Sequence, residues 1–192
     1  MSQVWADQLD LLIRASTPIL WIRSGEEERC LTLLEGAARR LGNRSLLVWD
    51  FITGLSGVPS RQGEASRNPL AALDGLNALS PGAAGILVLK DFHRYCEDAS
   101  ICRRLRNLAS DLRQVPRTLV ITASQWQVPT DLQDCITQLE LPLPEAAEIR
   151  ALLANIAEAC GQSLDGAVLE ELSQGCSGLS EQRIRQVAAR GL

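Results

Sequence analysis

Short apolar runs alternate with amphipathic segments along most of the chain, and this alternation predicts an α/β fold. Each of five runs is bounded by residues that favour turns, as buried strands are. They are Ile19–Ile22, Leu46–Trp49, Ile86–Leu89, Thr118–Ile121 and Ile136–Leu139. Only the last run alternates polar and apolar positions, which indicates a less buried strand. Five strands separated by helices predict a five-stranded parallel sheet with helices on both faces.

The segments between these runs carry apolar residues at helical spacing. One helix is predicted to begin at a capping box formed by Ser24 and Glu27. Two more are predicted over Pro69–Leu79 and from about Cys96 to Val115, where leucines recur on one face. The stretch Thr53–Asn68 is rich in Gly, Ser and Arg and predicts a loop.

Beyond Pro142 the strand pattern stops, and three amphipathic helices are predicted. They lie near residues 145–160, 164–174 and 180–190. The sequence therefore predicts an α/β domain over 1–141 and a small three-helix lid subdomain over 142–192. This layout is similar to that of AAA+ proteins, a branch of the P-loop NTPases.

Composition narrows the function classes. The 192 residues carry 19 basic and 23 acidic side chains, so the net charge of -4 gives no general attraction to nucleic acid or anionic membranes. The first residues lack the basic and apolar regions of a signal peptide, and we expect a cytoplasmic protein. Six cysteines include no Cys-x-x-Cys pair and His93 is the one histidine, so no metal site is predicted.

The turn after the first strand is where an AAA+ protein would bind nucleotide phosphates. A phosphate cradle needs several glycines, a lysine and a hydroxyl for Mg²⁺ at a helix N-terminus. Here the residues from Ser24 to Arg29 include one glycine, Gly25, and three consecutive glutamates. Those carboxylates repel phosphate, so we expect no nucleotide-binding residues and no cofactor. Weakly bound ATP·Mg²⁺ remains the alternative, held by Arg23, Lys90 and Arg94.

The third strand ends in Lys90 and Asp91, where AAA+ ATPases have two acids that hold Mg²⁺. Lys90 takes the place of the first acid, so we expect no catalytic residue here. The carboxyl ends of parallel strands share one edge of a sheet, which is the favoured ligand side, and we expect the ends of the first three strands to lie side by side there. We therefore predict a contact surface there, although the same polar residues would also fit a solvated strand end. Its candidate residues are Arg23, Asp50, Lys90, Asp91, His93 and Arg94.

Four segments carry a family resemblance. They are Trp49–Phe51, Arg67–Leu73, Leu87–Tyr95 and Leu141–Pro144. Together they resemble the N-terminal domain of the AAA-type ATPases encoded as a hypothetical chloroplast reading frame in algal plastids and cyanobacteria. The resemblance implies a second, C-terminal AAA domain with intact Walker motifs and an arginine finger. This chain stops before that domain, so it is either a part of such a protein or a shortened relative.

Together these observations predict a degenerate AAA-like domain without catalysis of its own. We expect it to assemble with itself or with an ATPase module and to recruit a protein partner, in the cyanobacterial cytosol or the plastid stroma. The first alternative is an ATPase domain with a non-Walker nucleotide site. The second is a clamp-loader-like inactive subunit that touches DNA through the arginines from Arg103 to Arg117. Nucleic acid is not favoured, because charges on an amphipathic helix are usually just solvated.

Overall fold

The structure is a computed structural model that describes residues 3–57 and 67–191. It divides into two compact units. One is Asp7–Leu141, and the other comprises Met1–Ala6 and Pro142–Leu192. Each unit is described by itself below.

The unit Asp7–Leu141 contains a single sheet of six strands. The strands are β1 (Ile19–Arg23), β2 (Ser45–Asp50), β3 (Gly54–Ser56), β4 (Gly85–Lys90), β5 (Arg117–Ala123) and β6 (Ile136–Glu140). Their order is β3-β2-β4-β5-β1-β6, and every pairing is parallel except that of β3 with β2. The α/β fold is confirmed, but the prediction of five strands is wrong, because β3 lies in the predicted loop Thr53–Asn68. Residues 58–66 of that loop lie outside the described residues.

The sequence pattern does not predict β3, because this strand has no apolar run. Polar contacts in the turn before it and glycines stabilise it instead. The Asp50 carboxylate accepts hydrogen bonds from the backbone N–H groups of Ile52 and Thr53, at 2.8 and 2.7 Å, and so tightens the turn after β2. Gly57 ends the hairpin at φ +89°, and a Cβ there would lie 2.5 Å from a backbone carbonyl oxygen of β2. Only glycine fits such a position.

The central strands are those with the most continuous apolar burial. In β5, every residue after Arg117 is buried, and β4 is buried from Gly85 to Leu89. Strand β6 at the edge is buried only at Ile136 and Leu139, so it is less buried than the central strands, as predicted, although its burial does not alternate. A strand that is apolar on both faces is most stable with neighbours on both sides, so β5 lies between β4 and β1.

Four helices belong mainly to this unit. They are α1 (Gln3–Arg14), α2 (Glu27–Arg40), α3 (Pro69–Ala72) and α4 (Ala99–Asp111). The single helix predicted over Pro69–Leu79 is instead α3 followed by a 3₁₀ turn, Gly75–Ala78. Gly75 packs so closely on the sheet that an added Cβ would lie 3.3 Å from the side chains of Leu55 and Leu87. The chain stays near the sheet there instead of completing a regular helix.

Three helices form the second unit, as predicted: α5 (Ala146–Ala159), α6 (Gly166–Gly175) and α7 (Glu181–Gly191). Glu145 and Glu148 form a capping box at the start of α5. The small core contains Ile149, Leu153 and Ile184, all almost fully buried. These helices therefore have a hydrophobic core of their own.

Asp91 follows β4 in a left-handed backbone conformation, with φ at +51°. Its backbone N–H donates to the carbonyl of Thr122 at 2.9 Å, which fixes the turn. The side chain, by contrast, is 65% exposed and has His93 Nδ1 as a distant neighbour, 3.9 Å from its carboxylate. Aspartate tolerates this backbone region better than most residues, so the backbone rather than the charge accounts for its structural role here.

Two substitutions of Asp91 separate the contribution of its backbone conformation from that of its carboxylate. We expect Asp91→Ala to lower the free energy of unfolding by about 1 kcal/mol, because alanine is strained at positive φ. Asp91→Gly removes the same carboxylate without that strain and is expected to be about 1 kcal/mol more stable than Asp91→Ala. Denaturant unfolding measures both. Equal losses on the order of 3 kcal/mol would show instead that the carboxylate itself organises this edge.

Candidate functional site

The strand order separates Arg23 from Asp50 and Lys90, three of the six residues predicted to form a contact surface. Asp50 and Lys90 end the adjacent strands β2 and β4, but Arg23 ends β1, and β5 lies between β4 and β1. The expectation that the three strands lie side by side is therefore wrong. The reason is the burial of β5, which follows the others in sequence yet occupies the centre of the sheet.

Arg23 is engaged at its own end of the edge. Its guanidinium donates to the carboxylate of Glu140, the residue directly across from it on β6. The same guanidinium lies over the ring of Trp126, 5.3 Å from the ring centroid. Glu140 neutralises the cation and Trp126 covers it, so Arg23 is engaged away from Lys90 and Asp50.

The turn between β1 and α2 differs from the predicted capping box. Helix α2 begins at Glu27 with Glu26 as its N-cap residue, and no side chain caps it. The Ser24 hydroxyl instead accepts from the backbone N–H of Glu26 at 2.9 Å. The guanidinium of Arg29 donates a hydrogen bond to the carboxylate of Glu26 at 2.9 Å. Both side chains are largely buried. The predicted capping box is thus wrong, because its serine closes the turn one residue earlier.

Lys90 connects this turn to the end of β4. Its ammonium group lies 2.9 Å from the carboxylate of Glu27, in the first turn of α2. In AAA+ ATPases these two places hold the Mg²⁺-binding acids and the phosphate cradle. Here the cation of Lys90 lies where the Mg²⁺-binding acids would be, and the carboxylate of Glu27 lies where the phosphate cradle would be. The two charges compensate each other.

Asp50 forms part of the same edge but is used locally. Its carboxylate accepts from Thr53 as well as from Ile52. Burial alone would raise its pKa, yet these hydrogen bonds and the nearby charge of Lys90 outweigh burial and hold the pKa below its ordinary value. Asp50 therefore remains ionised at neutral pH and stabilises the β2–β3 turn.

His93 is 3% exposed and lies in the 3₁₀ turn Phe92–Tyr95. Neither ring nitrogen has a hydrogen-bond partner among residues 3–57 and 67–191. The ring lies beside Trp21, with 6.4 Å between the ring centroids. Burial lowers the pKa of His93, and the charge of Arg94 adds to this, although Asp91 opposes it. The neutral imidazole is the stable form in the folded chain.

Aromatic side chains that the site prediction omitted extend from the core to this edge. Trp49 and Phe92 pack edge to face at 5.6 Å, and Tyr95 packs against both. Phe51 then stacks on Tyr95 at 6.0 Å and is 43% exposed, while its neighbour Ile52 is 72% exposed. The sequence does place aromatic residues here, since Phe51 follows directly after β2 and Tyr95 ends the 3₁₀ turn that comes after β4. Together with exposed Asp91 and Arg94, Phe51 and Ile52 form what we call the edge surface.

The described residues contain no group of three or more His, Cys, Asp or Glu side chains able to hold a metal ion. Burial raises the pKa of the Cys30 and Cys96 thiols to about 12, so both stay protonated and unreactive. Within this part of the chain, no helix has the length and apolar character needed to cross a membrane.

The buried His93 predicts a pH-dependent stability. In the unfolded chain a histidine takes up a proton near pH 6.5. The folded chain resists that proton, so the free energy of unfolding should fall as the pH drops below about 6.5 and level off below the folded pKa. His93 is the one histidine of the chain, so His93→Phe should remove this decline between about pH 7.5 and 5.5.

Asp91→Asn supplies the matched control. It removes the charge that favours the protonated imidazole, so the decline should persist and steepen. The measurement is denaturant unfolding at each pH. The same decline in the wild type and in His93→Phe would contradict the assignment to this ring.

Comparisons with known proteins agree with this fold. The sequence model described as SpoVK-like AAA ATPase, N-terminal domain, matches residues 5–141. The one described as SpoVK-like AAA ATPase, second domain, matches residues 147–192. Among solved structures, a RuvB variant of Thermotoga maritima superimposes with a TM-score of 0.64 at 15% identity, over 99% of this chain and 61% of that chain. A chain of the E. coli MS115-1 HORMA:CdnC:Trip13 complex gives 0.60 at 13% identity, over 98% and 87%.

Curated relatives are more similar in sequence. The AAA domain-containing protein ycf46 of Guillardia theta is 41% identical over 180 residues, which are 94% of this chain and 36% of that protein. Its counterpart in Trieres chinensis is 37% identical over 184 residues, or 96% and 37%. The chain thus spans little more than a third of the length of these relatives. With both family models matched along its length, the chain belongs to the SpoVK-like AAA ATPase family and is similar to part of the ycf46 AAA domain-containing proteins.

Proposed function

We propose that this chain is a degenerate, non-catalytic AAA-like domain that serves assembly and partner recruitment. The observation that carries the proposal is the ion pair between Lys90 and Glu27. It joins the end of β4 to the first turn of α2, where an active AAA protein would hold Mg²⁺ and phosphate. A nucleotide would have to displace this pair and approach two further glutamates of the same turn, Glu26 and Glu28.

The alternative of a non-Walker nucleotide site has less support. Of the three cations suggested for it, Arg23 is engaged by Glu140 and Lys90 by Glu27. Arg94 is exposed and lies beyond the strand end. Binding a triphosphate would therefore require breaking two ion pairs in a region where the nearest helix N-terminus already carries carboxylates.

The edge surface suits contact with another protein. Phe51 rests on Tyr95, which packs on the buried Trp49 and Phe92, so the exposed ring is held rigidly by the core. Rigid aromatic anchors beside charged side chains are typical of residues that dominate binding energy at interfaces. The curated relatives extend well beyond the region that this chain covers, and we infer that their remaining part is the first candidate partner.

Two expectations from the sequence belong to the same proposal. Residues 142–192 would act as the lid subdomain of the α/β domain 1–141, which the capping and core of the three helices support. The site of action would be the cyanobacterial cytosol or the plastid stroma, which the algal relatives support.

The proposal is tested by association measured in the ultracentrifuge, with the chain alone and mixed with the remaining part of the Guillardia theta relative. We expect a complex in at least one case. Ile52→Ser combined with Arg94→Ser should weaken it by about tenfold or more, since both side chains belong to the edge surface. Leu11→Ser combined with Arg39→Ser is the matched control, because it removes an exposed leucine and arginine from α1 and α2.

The control variant should associate like the wild type. A chain that stays monomeric alone and in the mixture would contradict the proposed role in assembly. An equal loss in both double variants would show that the edge surface is not the contact.

A further inference from the structure

The basic cluster between Arg103 and Arg117 divides into structural and unengaged arginines. Arg117 is structural, because its guanidinium donates to four backbone carbonyls of the segment before β4. Their acceptors are Leu76, Leu79, Ser80 and Ala83, at 3.0, 3.4, 2.7 and 3.1 Å. Arg104 is also engaged, since it forms an ion pair with Asp74. Neither side chain is available to a ligand without loss of an internal contact.

The other three arginines are exposed. Arg103, Arg106 and Arg113 have no ion-pair partner within residues 3–57 and 67–191. Arg103 and Arg106 are three residues apart on α4, opposite the face that buries Leu105 and Leu108, so their side chains are neighbours on the outer surface. Arg113 continues this ridge in the 3₁₀ turn that follows α4.

Arg103 and Arg106 border a groove between α4 and the segment that leads into β6. One part of the groove has a volume of about 430 Å³, and Pro129 and Asp131 also line it. The next part, of about 530 Å³, reaches Cys135. Arg103 and Arg106 line both parts, so the two are continuous along the helix. We call this feature the α4 groove.

The chemistry of the α4 groove fits carboxylates. Guanidinium groups bind carboxylates and phosphates through paired N–H donors, and Asn107 and Ser110 add neutral donors in the same groove. Acidic side chains stand at its borders: Glu97 and Asp131 in one part and Asp111 in the other. A long polyphosphate would have to pass these acids, whereas a short segment can place its charges between them.

We propose that the α4 groove binds a short acidic segment of a partner protein, whose carboxylates pair with Arg103 and Arg106. This binding would not depend on the edge surface, because none of the residues that line the groove belongs to it. The groove therefore offers the chain a second, electrostatic contact, and its failure or success says nothing about the edge surface.

A fluorescein-labelled octaglutamate peptide tests the groove by fluorescence anisotropy with the 192-residue chain. We expect saturable binding, and a loss of at least about tenfold in affinity when Arg103→Gln and Arg106→Gln are combined. The matched control combines Arg39→Gln with Arg183→Gln, two exposed arginines of α2 and α7. It changes the net charge equally and should bind within about twofold of the wild type.

Further variants and probes keep the outcome decisive. Ser110→Glu places a carboxylate in the groove without removing an arginine and should also weaken binding, and thermal unfolding confirms that each variant is folded. A thymidine octanucleotide of similar charge should bind less tightly than the peptide. Absence of saturable peptide binding, an equal loss in the control, or tighter binding of the oligonucleotide that depends on Arg103 and Arg106 would each overturn the proposal.

Discussion

One ion pair, between Lys90 and Glu27, determines what the carboxyl edge of this sheet can do. It places a cation at the end of β4 and a carboxylate at the start of α2, which reverses the charges that a bound Mg²⁺ and phosphate would require. Neighbouring pairs extend the effect, because Glu26 is held by Arg29 and Arg23 by Glu140. Lys90 and Arg23 thus each have a carboxylate partner within the chain, while the AAA fold around them is retained.

A separate constraint, the burial of β5 in the centre of the sheet, decides which groups can meet. It keeps Arg23 apart from Lys90 and brings the ends of β2 and β4 together. Aromatic packing between those two strand ends then supports Phe51 at the surface. The same unit therefore has an edge where Lys90 is paired with Glu27 and, beside it, an aromatic ring that is partly exposed to solvent. This combination supports the proposed contact role.

Periodicity alone predicted the five long strands and the three C-terminal helices, because each carries apolar residues at the spacing of its element and packs some of them into a core. It missed β3, which depends on the Asp50 turn and on glycine at position 57. At the site, the sequence placed Lys90 at the end of its strand, but it did not indicate Glu27 as the partner of Lys90. Ion pairs between distant segments and the strand order depend on tertiary packing, which a single sequence pattern does not specify.

The backbone amides of the β1–α2 turn report most directly on the claim that this turn does not hold phosphate. In a ¹⁵N-labelled chain titrated with ATP·Mg²⁺, we expect the amide signals of Gly25, Glu26 and Glu27 to remain unshifted, because the carboxylates of Glu26 and Glu27 are already paired with Arg29 and Lys90. Saturable shifts at these amides, lost when Lys90→Gln is introduced, would contradict the account and establish a nucleotide site at this edge.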